Sequence, residues 1–129
     1  MIVQGDIAKI LVKDCMQFGI DVYQKDSTPN GKVTKERIVV IPKKGSPDMY
    51  WEKCYVEVNI CVPDVNKRAN TLRLDELERD VVGVLKSSCG VYDGTRYRYK
   101  KESTSREEDI ELGCHFVNVR LLFEILNVE

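Results

Sequence analysis

The sequence has little of what most catalytic and metal sites require. It contains a single histidine, His115, and five cysteines, none of which form a CxxC pair. One histidine at these spacings cannot complete a Cys2His2 zinc site, and an odd number of thiols does not form a closed disulfide framework. We therefore interpret the cysteines as reduced thiols of a cytosolic protein, mostly at or near apolar stripes. They are Cys15, Cys54, Cys61, Cys89 and Cys114.

The chain also lacks a strong charge imbalance and a long apolar run. Its net charge is −1, which gives no overall nucleic-acid footprint. No stretch approaches the roughly 20 apolar residues of a membrane span, and the N-terminus has no basic segment of a signal peptide. With 129 residues, 43% hydrophobic and 32% charged, we expect one domain over residues 1–129, folded in a cytoplasm and without a membrane partner.

Hydrophobic periodicity predicts the element order α-β-β-β-α-β-β. Apolar residues recur at helical spacing from Val3 to Phe18 and from Leu74 to Leu85. Each helix has a single apolar stripe, so we expect an α+β fold, an antiparallel sheet with both amphipathic helices packed on one face. The predicted strands are 20–23, 36–42, 49–62, 94–103 and 110–126. The segments 24–35 and 103–109 are predicted to be a long loop and a turn.

Two of the predicted strands are unusually long and differ between their faces. In YWEKCYVEVNICVPD, residues 50–64, the even positions from Cys54 to Val62 are apolar, and the odd positions mix aromatic, polar and charged residues. Strand 110–126 has the same character, and typical strands have about 5–6 residues. We interpret the mixed face as a subunit or partner interface, where aromatic residues and arginine are enriched. Cover by loops and termini is the alternative. The candidate interface residues are Trp51, Tyr55, Glu57, Asn59, Arg96, Arg98, Phe116, Arg120 and Leu122.

No catalytic, cofactor-binding or metal-binding residue is predicted, and we do not expect an enzyme. His115 lies on an apolar stripe and is interpreted as a hydrogen-bonded structural histidine rather than a general base. Pro47-Asp48 followed by Glu57 and Asn59 resembles a nuclease pattern. That pattern needs a lysine where this chain has Asn59.

The stretch RYRYKK, Arg96–Lys101, supports an alternative function. Basic residues that alternate with tyrosines could neutralise and stack on single-stranded nucleic acid. The chain would then be a small nucleic-acid-binding or nucleic-acid-processing protein using Arg96, Arg98, Lys100 and Lys101. Cross-strand pairing of these residues with the acidic residues 107–109 is the simpler explanation.

The series of elements resembles the tail terminator, or tail completion, proteins of long-tailed bacteriophages. The resemblance covers residues 3–126. It rests on GDIAKILVKDC, IDVYQKDSTPNG, ERIVVIPKK, YWEKCYVEVNICVPD and NTLRLDELERDVVGVL, followed by a final hairpin. It transfers no individual residue.

The resemblance implies a ring, usually a hexamer, that caps the tail tube and meets the head-proximal connector, with no enzyme activity or cofactor. The implied partners are copies of itself, the tail tube protein and the head-tail connector protein, with no specific nucleic acid. The protein would reside in the bacterial host cytoplasm during assembly and afterwards in the virion tail. Segments 24–35 and 103–109 would then contact the tube or neighbouring subunits.

Overall fold

The computed structural model describes residues 1–43, 46–47 and 52–126. Its elements comprise two α-helices, seven strands, and 3-10 turns at Met16–Phe18 and Lys25–Ser27. The helices are α1 (Gln4–Cys15) and α2 (Thr71–Leu85). The strands are β1 (Asp21–Gln24), β2 (Arg37–Pro42), β3 (Ser46–Pro47), β4 (Glu52–Pro63), β5 (Ser87–Tyr92), β6 (Thr95–Asp109) and β7 (Cys114–Leu126).

At the start of each helix a side-chain oxygen accepts a hydrogen bond from a nearby backbone amide. In α1 the Asp6 carboxylate accepts from the Val3 amide at 3.0 Å, and in α2 the Asn70 side chain accepts from the Arg73 amide at 3.3 Å. Such contacts satisfy backbone donors that have no partner within the helix. After α1 and its 3-10 turn, Gly19 takes a left-handed conformation with φ 71° and directs the chain towards β1.

The sheet is mixed, so the predicted antiparallel sheet in the order α-β-β-β-α-β-β is wrong. The strand order is β1-β2-β4-β7-β6-β5, with β3 pairing beside them on β4. β1 runs parallel to β2, whereas the pairings β2–β4, β4–β7, β7–β6 and β6–β5 are antiparallel. A parallel pair needs a crossover of a dozen or so residues, and segment 25–36, most of it within the predicted loop 24–35, supplies it.

Two further boundaries differ from the sequence prediction. β5 was not predicted; it begins at Ser87, two residues after the helical stripe ends at Leu85, and turns into β6 through Asp93 and Gly94, which both have positive φ. The predicted turn 103–109 is the second half of β6, and the chain turns at 110–113 instead. The polar composition of 103–109 is typical of a turn, but pairing with the apolar β7 keeps it extended.

The main core lies between the helices and one face of the sheet, which we call the inner face. The buried side chains of both helices belong to one cluster with alternate residues of β2, β4 and β7. Tyr97 and Tyr99 of β6 stack on Phe123 with ring centroids 5.3 and 5.8 Å apart. Each large apolar side chain buried in this way contributes about 1.5–3 kcal/mol to stability. The opposite face of the sheet is called the outer face.

The three longest strands form the centre of the sheet. β4, β7 and β6 have 12, 13 and 15 residues. β4 pairs with β7 from Glu52 opposite Ile125 to Pro63 opposite Cys114. β7 pairs with β6 along almost its whole length, with one irregularity between Lys101 and Ser103. The mixed positions of β4 and β7 therefore lie side by side on the outer face.

Candidate functional site

The outer face brings together eight of the nine candidate interface residues. The cross-strand partners Tyr55 and Leu122, Glu57 and Arg120, and Cys61 and Phe116 define this face on β4 and β7. Period-two alternation places the other candidates on the same side. They are Asn59 on β4 and Arg96 and Arg98 on β6. Trp51 lies outside the described residues.

The middle of the outer face is a row of polar contacts. The Arg120 guanidinium carbon lies 3.9 Å from the centroid of the Tyr55 ring, a cation–π contact. Glu57 forms an ion pair with Lys43 at 3.3 Å. The Asn118 amide nitrogen donates to the Asn59 amide oxygen at 2.7 Å. Arg120 stays exposed and the Tyr55 ring half-buried, so these groups can still contact another molecule.

One end of the outer face is covered by the chain itself. A second small cluster contains Val33, Val39, Cys61 and Cys114, with Phe116 packed against it. The Val33 amide donates to the Leu112 carbonyl at 2.8 Å, which ties segment 25–36 to this end. The loop predicted to be a contact arm therefore covers Phe116 in part. Sequence reasoning missed this cluster because its members come from four separate segments.

All five cysteines are free thiols, and all except Cys89 are buried. Cys61 and Cys114 share a hydrogen bond, which raises the pKa of Cys61 together with its burial. Burial raises the pKa of Cys15 to about 12 and that of Cys54 to about 11. The reactive species of cysteine is the thiolate, so burial makes these two side chains poor nucleophiles at neutral pH.

At the other end of the outer face, the described residues combine apolar with basic side chains. We call Val91, Arg96, Lys100, Leu122 and Leu126 the root patch. Val91 pairs with Arg96, Arg96 with Leu126, and Lys100 with Leu122, so these five residues share one face. Val91 is 65% exposed, and no sequence signal indicated it because β5 was not predicted.

A buried acidic residue, Glu124, lies between Leu122 and Leu126 of the root patch and is paired. Glu124 is 7% exposed, and its carboxylate accepts from the Arg98 guanidinium at 3.1 Å. A carboxylate buried without a partner would be costly, so this pair fixes Arg98 in place. The predicted pairing of Arg96–Lys101 with residues 107–109 is wrong, because both segments lie on β6.

The tyrosines of RYRYKK point away from its arginines. Tyr97 and Tyr99 face the inner side and stack on Phe123, whereas Arg96 and Arg98 lie on the outer face. Tyr99 is 2% exposed, and its hydroxyl donates to the Asp14 carboxylate at 2.6 Å. Burial raises the pKa of this hydroxyl. The two rings are therefore occupied in the core and do not supply the stacking surface that nucleic-acid binding would use.

His115 is held between two carboxylates on the inner side of the sheet. Its Nδ1 lies 2.6 Å from Asp64 and its Nε2 lies 3.2 Å from Glu108. The hydrogen bond with Asp64 is the main cause of the raised pKa of His115. These contacts connect the end of β4 to the far end of the β6–β7 hairpin. Within the described part of the chain, no group of three or more histidine, cysteine, aspartate or glutamate side chains could hold a metal ion.

Comparisons with known proteins establish the fold alone. No model of a known protein family matches the chain, and no curated protein matches it. Five solved chains match it in structure. One is a protein known by a sequence identifier alone, with a TM-score of 0.63 and 12% identity over 100% of this chain and 99% of that chain. Neither helix of the described residues is long and apolar enough to cross a bilayer.

Proposed function

We propose that this protein is a structural component of a bacteriophage or prophage tail. In this proposal it is a tail terminator: copies form a ring, usually a hexamer in such proteins, that caps the tail tube and joins it to the head-proximal connector. Its partners are further copies of itself, the tail tube protein and the connector protein. It folds in the cytoplasm of the bacterial host and ends in the virion tail. The proposal assigns no enzymatic reaction.

The observation that carries the proposal is the outer face. Tyr55, Arg120 and Leu122 lie together there in a surface of aromatic, arginine and apolar side chains, the composition typical of the centre of protein interfaces. The polar contacts between them leave these groups accessible. A surface of this composition is explained if other chains bind to it and bury it.

The length of β6 and β7 supports the same proposal. At about 3.3 Å per residue, the 15 residues of β6 span roughly 45–50 Å. A compact 129-residue chain has a radius of gyration of about 14 Å, so a sphere of that size is roughly 36 Å across. β6 is therefore longer than the diameter of such a sphere, and its residues 100–108 are exposed. In a ring, such an extension reaches the neighbouring subunit.

The nucleic-acid alternative has less support. It relied on alternating basic and aromatic side chains, but Tyr97 and Tyr99 pack against Phe123 in the core. Arg98 is also engaged with Glu124. Retention on single-stranded DNA at moderate salt that is abolished by charge reversal at Arg96 and Arg98 would favour this alternative.

Control of tube length tests the proposed function. A tail tube protein from the same phage or prophage is polymerised with and without the purified protein, and tubes are measured by electron microscopy. We expect added protein to appear at one end of each tube and to stop its growth. A matched pair of variants locates the contact: Leu122→Glu on the outer face and Leu72→Glu on the exposed side of α2.

The two variants are expected to behave differently. Leu122→Glu should abolish capping, whereas Leu72→Glu should leave it intact, because Leu72 is an exposed side chain of α2 outside the outer face. Tubes of unchanged length with no protein at their ends would reject the proposed function. Loss of capping in the Leu72 variant alone would reject the outer face as the contact surface.

A further inference from the structure

The far end of the β6–β7 hairpin is an exposed apolar residue surrounded by acidic ones. We call residues 107–111 the tip. Ile110 is 80% exposed, and Glu107 and Glu111 on either side are exposed and form no ion pair within the described part of the chain. Glu108 contacts His115, and Asp109 accepts from the Leu112 amide at 3.0 Å. These two contacts fix the shape of the tip.

The root patch is complementary to the tip in both polarity and charge. Its apolar side chains Val91, Leu122 and Leu126 share a face with Arg96 and Lys100. Both basic residues are exposed, and neither forms an ion pair within the described residues. An isoleucine flanked by glutamates thus matches an apolar surface flanked by an arginine and a lysine. Complementary charge of this kind fixes register between partners and excludes wrong ones.

The tip cannot reach the root patch of its own chain. Arg96 and Glu107 are eleven positions apart on the same extended strand. At about 3.3 Å per residue they are separated by roughly 36 Å. Any contact between these two surfaces must therefore join two molecules.

We propose that the tip of one copy docks on the root patch of the next copy. The contact is heterologous because its two surfaces lie on different parts of the chain, and repetition generates a closed ring or an open filament. Ile110 packs on the apolar side chains of the root patch, while Glu107 and Glu111 face Arg96 and Lys100. The ring that this contact would build rests on the proposed function, but the contact itself is tested without a tail tube.

Charge reversal distinguishes head-to-tail docking from other contacts. One variant, R96E/K100E, carries an acidic root patch, and the other, E107K/E111K, carries a basic tip. Either variant alone presents like charges at every contact, so neither should self-associate. An equimolar mixture restores opposite charges at each contact, and the alternating copies should assemble again. A variant with all four substitutions should assemble by itself.

Sedimentation velocity in low salt measures these outcomes. We expect the wild type to form oligomers. Each reversed variant should be monomeric, with self-association at least tenfold weaker than that of the wild type. The mixture and the fourfold variant should form oligomers again. Circular dichroism spectra and melting temperatures equal to those of the wild type establish that each variant is folded. Oligomers of wild-type size in either reversed variant would overturn the proposal, and so would failure of the mixture to assemble.

The apolar part of the contact has its own matched pair. Ile110→Asp and Leu72→Asp both alter highly exposed side chains, 80% and 71% exposed in the two cases. The first should weaken self-association at least tenfold and the second should leave it unchanged; equal effects would contradict docking at the tip. If the wild-type protein stays monomeric, the docking proposal is rejected, and the tube-capping experiment then tests the proposed function separately. Intact oligomers that fail to cap tubes reject the function alone.

Discussion

Leu121 and Leu122 are chemically identical neighbours on β7 with opposite environments. Leu121 is fully buried on the inner face, whereas Leu122 is half-buried on the outer face opposite Tyr55. The alternation of β4 and β7 is a local property, so the sequence alone predicted which residues share the outer face. The partners of those residues were not predictable. Lys43 pairs with Glu57 and Glu124 with Arg98 through strand register, which is set by the whole sheet.

Truncation of these two leucines should have different effects on stability. Leu121→Ala leaves a cavity in the core and should lower the free energy of unfolding by about 2–5 kcal/mol. Leu122→Ala removes a half-exposed side chain and should lower it by about 1 kcal/mol or less. Urea denaturation of both variants measures the difference. Equal losses would show that β7 does not present these residues to opposite faces.

The contacts of His115 predict a dependence of stability on pH. Its pKa is raised above the ordinary value of 6.5, mainly by the hydrogen bond with Asp64. Protonated His115 donates to Asp64 and to Glu108, whereas the neutral ring can donate to one of them. The stabilisation is therefore fully present below about pH 6.5, the unfolded pKa, and is lost as pH rises through the higher folded pKa.

A proton NMR titration reads this pKa directly because the chain has one histidine. We expect a value above 6.5 in the wild type and a fall towards 6.5 in Asp64→Asn. Glu108→Gln should have a smaller effect, since the Glu108 side chain is 52% exposed and its interaction is screened by solvent. A wild-type value at or below 6.5 would contradict the described contacts.

At the scale of elements, the helices and most strands were predictable and the pairing of the sheet edges was not. The apolar stripes of α1 and α2 and the alternation of β4 are strong local signals. β1 has four residues, and its direction relative to β2 depends on the path of segment 25–36. β5 contains Ser87, Ser88 and Gly90 and has no clear apolar alternation. Such strands are defined by the partner they pair with.

The irregularity in β6 predicts two different outcomes for single-residue deletions. Lys101 lies opposite Leu121 and Ser103 opposite Arg120, so Glu102 is the extra residue of a bulge. Its deletion preserves both registers and should change the free energy of unfolding by about 1 kcal/mol or less. Deletion of Ser105 shifts the register that follows and turns Arg106 away from Asp75 and Glu78.

The Ser105 deletion should therefore cost about 2–3 kcal/mol, since a one-residue slip moves the side chains that follow it to the opposite face. Urea denaturation and amide hydrogen exchange measure the change for both deletions. We expect exchange to increase from residue 106 to the tip in the Ser105 deletion and to stay near wild type in the Glu102 deletion. Equal loss of stability in the two variants would argue against the bulge.

At the scale of the whole molecule, three adjoining long strands connect an end covered by segment 25–36 to the end that carries the root patch. The sequence predicted that β4 and β7 are long and that their outer face is mixed, but it began the second strand at 110, where the chain turns. It did not predict that 103–109 would extend β6 to the same length, because that segment has the polar composition of a turn. The tip and the root patch exist as surfaces because of this extension.

Hydroxyl-radical footprinting, read by mass spectrometry, tests the central claim most directly. The protein is oxidised free in solution and bound at the ends of tail tubes, and the rates are compared residue by residue. We expect protection of Tyr55 and Leu122 on the outer face and of Ile110 at the tip. Met16 and Leu72, exposed on the helical side, should be oxidised at unchanged rates. Unchanged oxidation of the outer face, or protection confined to the helical side, would contradict the claim that other chains bind the outer face and bury it.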